Sequence, residues 1–128
     1  MRNVLLALVM SAASSSSFAD WQEVVSESTS DYYVDLYGVE KGKPIQKVKI
    51  LEDWHAAFED VHSYVWTEEY DCVKRLVRIS DAKGYSARMG KGLVVEEGGP
   101  SGWKPMSEYS GERYTRIIVK NVCGFSIK

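Results

Sequence analysis

The sequence predicts an α+β fold, an antiparallel sheet of short strands followed by one C-terminal helix. Three observations predict it. Apolar and polar residues alternate with a period of two in several stretches, with turn residues about every ten positions. The last part of the chain places helix start and stop residues, Ser110 and Gly124, around an apolar face of helical spacing. Two cysteines, Cys72 and Cys123, can form one bridge between these parts.

The first 19 residues stand apart from that pattern. Met1-Arg2-Asn3 is a short positive start, residues 4–13 are apolar and uncharged, and small residues follow up to Ala19. This order predicts a secretory signal peptide over 1–19 and a single domain over 20–128. A membrane anchor needs about 20 apolar residues, twice the length of this run. No cysteine precedes Cys72, so a lipidated N-terminus is not expected. Export is the expected fate, with the periplasm ahead of the cell surface or the medium. In a small exported domain an even cysteine count favours a disulfide. The spacing of Cys72 and Cys123 lacks the close pairs of zinc sites, and oxidising conditions disfavour a free thiol nucleophile.

Trp21 to Val25 reads as the first strand and residues 26–30 as a polar turn. Tyr32, Tyr33, Val34 and Leu36 form a second β-prone stretch ending near Gly38. Lys41-Gly42-Lys43-Pro44 reads as a hairpin turn, and Val48 and Ile50 alternate with Lys47 and Lys49 in a half-buried strand. Leu51, Trp54, Phe58 and Val61 fall at helical spacing, which predicts a short helix or turn within residues 51–64. Alternation then returns in two runs, residues 63–72 and 73–80. Asp81-Ala82-Lys83-Gly84 reads as a hairpin turn, and Tyr85 to Glu97 as a strand interrupted by Gly90 and Gly92. Near the C-terminus, β-branched Thr115, Ile117, Ile118, Val119 and Val122 favour a strand. Ser110 as cap, Glu112 in the first turn, Lys120 in the last and Gly124 just past the end favour a helix. Tyr114, Ile117, Ile118, Asn121 and Val122 would share one face, and this pattern outweighs propensity.

The 128 residues hold 16 Lys and Arg against 18 Asp and Glu, a net charge of -2. So balanced a chain gives no electrostatic reason to bind nucleic acid. Its 45% hydrophobic and 12% aromatic content argues against disorder. His55 and His62, with Glu52, Asp53, Glu59 and Asp60 nearby, read as charged loop residues rather than a metal site. Glu69 and Asp71 share a strand face that excludes Glu68, and all three read as a solvated sheet edge rather than a hydrolytic pair. Gly90-Lys91-Gly92 lacks the third glycine of a dinucleotide loop, and no nucleophile-elbow, zinc-protease or P-loop pattern occurs. No catalytic residue, metal or cofactor is expected.

What remains is a contact surface. Eight Tyr and four Trp exceed what a small core absorbs, and exposed aromatics are typical of interfaces. The basic run Lys74, Arg75, Arg78, Lys83, Arg88, Lys91 interleaves with Tyr85 and Met89. It reads as a solvated strand face or as a face for an acidic partner. The candidate binding surface is Lys74, Arg75, Arg78, Tyr85, Arg88 and Trp103.

Several features in order resemble the surface-adhesin protein E-like domain of Gram-negative bacteria. They are Trp21, Tyr33-Val34-Asp35, Val48-Lys49-Ile50-Leu51 and Trp54, then Tyr70-Asp71-Cys72 followed by the basic residues 74–78. Residues 85–92, Trp103-Lys104-Pro105 and the path from Ser110-Gly111-Glu112 to Val122-Cys123 complete the resemblance. It implies a sheet of about six strands, a C-terminal helix held to the concave face by the disulfide, and a tendency to dimerise. The adhesin that names the family is lipid-anchored and attaches to host matrix and plasma proteins. The expected function is therefore an exported, non-enzymatic, adhesin-like protein binder, whose partner is a host or periplasmic protein. The alternative is a periplasmic inhibitor or small-ligand carrier with the aromatic concave face as its pocket.

Overall fold

The computed structural model describes residues 20–36, 39 and 42–127. The expected signal peptide, Gly38 and Lys41 lie outside the described residues. Within them the chain forms β1 (Gln22–Ser26), β2 (Ser30–Asp35), β3 (Ile45–Phe58), β4 (Val61–Asp71) and β5 (Leu76–Tyr85). A 3-10 turn at Arg88–Gly90 leads to β6 (Val94–Gly98), β7 (Lys104–Pro105), a second 3-10 turn (Met106–Tyr109) and α1 (Arg113–Val122). The six longer strands pair antiparallel in sequence order, and β7 pairs with β5 beside β6. No helix among the described residues is long and apolar enough to cross a membrane.

The helix packs on one face of this meander, through a core of Val34, Val48, Ile50, Tyr70, Ile118 and Val119. Ile118 and Val119 are almost completely buried, and burial of side chains this size is worth about 1.5–3 kcal/mol each. Helix ends need partners for their last carbonyls, and here Gly124 at φ 82° donates its N–H to Val119 and Lys120. The bridge between Cys72, just past β4, and Cys123, just past α1, spans 5.4 Å between Cα atoms. It ties the end of the helix to the sheet, as expected.

Four local expectations are corrected. Residues 51–64 are neither helix nor isolated turn: β3 runs to Phe58 and β4 starts at Val61, with Glu59 in the left-handed region at the hairpin tip. The helical spacing there marks no buried face, because residues 55–60 are exposed at the hairpin end and Phe58 is 65% exposed. Ile50 and Leu51 are adjacent and both fully buried. Asp81 to Gly84 does not turn, because the long β4 offers partners across its whole length, and these residues pair with Thr67 to Tyr64. The reversal lies in residues 86–93; of the expected strand from Tyr85 to Glu97, Tyr85 ends β5 and residues 94–97 belong to β6. Ser110 does not cap the helix; it ends the preceding 3-10 turn, and Glu112 occupies the N-cap position without a side-chain cap bond.

The last correction concerns the faces of α1. Its buried residues are Thr115, Ile118 and Val119, with Val122 packed against the core. Ile117 is only half-buried and Asn121 is exposed, so the apolar stripe is rotated from the expected face.

Candidate functional site: a cationic groove beside the C-terminal segment

Of the three carboxylates expected at a solvated edge, Glu68 and Glu69 are buried and Asp71 is half-buried. Glu68 is 4% exposed and lies under α1. It accepts hydrogen bonds from Trp66 Nε1 at 2.7 Å, from the Tyr114 hydroxyl at 3.4 Å and from the Tyr70 hydroxyl. Burial pushes the Glu68 carboxyl up, against the three donors that lower it. Tyr114 in turn stacks on Tyr32 with ring centroids 4.6 Å apart, and Tyr32 donates to Glu52 at 3.1 Å. Burial pushes the Tyr70 and Tyr114 hydroxyls well up, so both stay protonated as donors. The concave face expected to offer an aromatic pocket is thus closed by the helix. Its aromatics are a polar-satisfied packing layer.

On the opposite face, Glu69 is 6% exposed and accepts from Arg78 at 3.0 Å, while the Arg78 guanidinium lies 4.5 Å from the Trp103 ring centre. Asp71 accepts from the backbone N–H of Val73 and Lys74 at 3.1 and 2.9 Å, so it orders the β4–β5 turn. Asp53, 2% exposed, accepts from Arg88 Nε at 2.9 Å and the Met89 N–H at 2.8 Å. The Ser63 hydroxyl donates to the Ala87 carbonyl at 2.7 Å and accepts from the Gly90 N–H at 2.9 Å. Gly90 sits at φ 68°, where an added Cβ would lie 3.0 Å from Val65 Cγ2. The glycine lets the loop lie flat on Leu51 and Val65, and the 88–90 turn works as a clamp.

The candidate binding residues therefore divide. Arg78 and Trp103 stack together, while Tyr85 and Arg88 lie toward the other end of the sheet. Arg78 faces Glu69 and Tyr85 faces Ser63, six residues along β4, about 20 Å at the rise of a strand. Arg88 is spent on Asp53. Lys74 and Arg75 stand at the β4–β5 turn, where the Arg75 guanidinium covers the Phe125 ring at 3.9 Å.

That turn opens onto a recess of about 780 Å³ lined by Lys74, Arg75, Leu76, Met106, Phe125 and Ile127, among others. A second recess of about 490 Å³ lies along α1, lined by Arg113, Arg116, Ile117, Lys120 and Asn121. The two share Ser126 and Ile127, so they form one groove on either side of the segment after the helix. Among the described residues five cations line it and no carboxylate side chain does. Because the basic run at residues 74–91 drew the candidate surface, Arg113 and Arg116 were missed from the sequence, and Lys120 was read only as a last-turn residue of the helix. Their spacing of three and four residues was the available signal.

Among the described residues no group of three or more His, Cys, Asp or Glu is placed to hold a metal. His55 instead bonds the Ser28 carbonyl and faces Asp31, both at 3.1 Å. Compared with known proteins, the chain matches no curated protein and no solved structure. The family model described as surface-adhesin protein E matches residues 21–124. That span holds the whole meander, both bridged cysteines and α1, and the chain belongs to the surface-adhesin protein E family.

Proposed function

We propose that this chain is an exported, non-enzymatic protein-binding module of adhesin type, and that the recess at Lys74 and Arg75 is its contact site. The observation that carries the reading is the pair of cations there, with no carboxylate among the described residues that line the recess, in a chain whose net charge is -2. Arg78 and Arg88, by contrast, are paired with Glu69 and Asp53. Like-signed rims steer acidic partners and raise association rates. Family membership supports adhesion to host matrix or plasma proteins, and the expected signal peptide supports export.

Self-association belongs to the same reading. We place it at the outer edge of β6, where Leu93, Val94 and Val95 are 74%, 43% and 42% exposed. An uncovered apolar edge strand is a pairing template.

The test is binding of the oxidised protein to immobilised matrix and plasma proteins, with Lys74→Glu/Arg75→Glu beside it. Binding that weakens by about tenfold in the double variant supports the reading, as expected for loss of rim charges. Equal binding by both proteins overturns the site. Capture of a periplasmic enzyme with no matrix binding overturns adhesion in favour of an inhibitor. Cell fractionation by immunoblot assigns the compartment.

A further inference from the structure

Resting on that reading, we infer that the α1 recess takes an acidic peptide segment with apolar side chains between its carboxylates, continuing the contact past Ile127. Arg113, Arg116 and Lys120 fall at i, i+3 and i+7, so they form one line of positive charge. At 1.5 Å per residue the line is about 10 Å long, the reach of three or four extended residues. All three are exposed, and none makes an ion pair among the described residues. Only Arg116 is engaged, donating to the Ser110 carbonyl at 2.6 Å, which fixes its stem at the start of the helix.

The floor between the charges is apolar. Ile117 lies within the line, and Ile127 closes the recess from the segment after the helix. A sulfated polysaccharide would pair the cations and leave these two side chains uncovered. A peptide satisfies both, with carboxylates at the rim and a Leu- or Ile-sized side chain between them. The recess also runs into the Lys74–Arg75 recess at Ser126 and Ile127, so one strand of partner chain can cross both.

The experiment is fluorescence polarisation with a labelled twelve-residue peptide of alternating Glu and Leu, against an all-Glu peptide and heparin. Proteins are the oxidised wild type, Arg113→Glu/Lys120→Glu and Ile117→Asp. The expected result is that the alternating peptide binds at least about tenfold tighter than the all-Glu peptide, and that both variants lose about tenfold. Raising salt from 50 to 200 mM should cost the alternating peptide only a fewfold, because screening leaves the apolar contact intact. Tighter heparin binding, equal binding of the two peptides, or affinity unchanged in the variants overturns the inference. If matrix binding still depends on Lys74 and Arg75 in that case, the reading of the first recess stands; if it does not, that reading fails separately.

Discussion

Opening the Cys72–Cys123 bridge should cost this protein a large share of a small domain's margin of stability. The bridge closes a loop with a sequence separation of 51, and loop-closure entropy for that length is worth about 4 kcal/mol at 25 °C. Domains of this size are stable by about 5–15 kcal/mol, so the loss is large but not total. The native state itself should change little. Ile118 and Val119 keep their buried places, and both cysteines are only half-buried, so serine at these positions buries little new polarity. The assay is urea unfolding followed by tryptophan fluorescence, on oxidised wild type, reduced wild type and Cys72→Ser/Cys123→Ser. With a slope of about 1–2 kcal/mol per molar, the midpoint should fall by about 2–4 M in both perturbed proteins. Their far-UV circular dichroism at zero urea should match the oxidised protein. A midpoint shift below about 0.5 M would refute the reasoning, since the unfolded chain would then already hold its ends together.

Glu68→Gln tests the buried carboxyl under α1. Its pKa is raised in the folded state by burial, so its contribution is full below the unfolded value near 4.5 and is lost as pH rises through the folded value. The glutamine variant should equal or exceed wild type in stability at pH 7, with the gap shrinking toward pH 4; a variant much weaker at pH 7 alone contradicts this. Asp53→Ala removes the acceptor for Arg88 and the Met89 N–H, and should cost about 1–3 kcal/mol. Trypsin should then cut at Arg88 or Lys91 faster than in wild type, and an unchanged rate would show that the loop needs no clamp. Val95→Lys should convert a dimer to a monomer by light scattering, and a monomeric wild type at tens of micromolar would remove β6 as the pairing edge.

The legible parts of the sequence were those set by local rules. Alternation at Val48 and Ile50 marked the helix-facing side of β3, and Gly124 marked the end of α1, because each depends on a neighbour within one turn or one pleat. The bridge followed from arithmetic on two cysteines. What failed was set at long range. Asp81 to Gly84 has turn chemistry but sits opposite residues 64–67, and Leu51, Trp54, Phe58 and Val61 mimic a helix although they lie along one long hairpin whose end is exposed. Glu68 and Glu69 look solvated in sequence, yet Arg78 of β5 covers Glu69 from 9 residues away, and Glu68 adds Tyr114 of α1, 46 residues away, to its β4 neighbours Trp66 and Tyr70. The cationic groove was half visible. Lys74 and Arg75 stood out as a run, while Arg113, Arg116 and Lys120 are spread over two helical turns and come beside them only through the packing of the segment after α1.

The order of strands along the sheet also sets the order of events during folding. Every long strand pairs with the one made just before it, so each hairpin can form as soon as its second strand emerges. Cys72 is therefore already at the end of a paired strand while Cys123, which follows all seven strands and the helix, is still to come. Docking of α1 on the sheet is what holds the two Cα atoms at the bridging distance of 5.4 Å, so in a chain that folds before it oxidises this bond is the last long-range link to close.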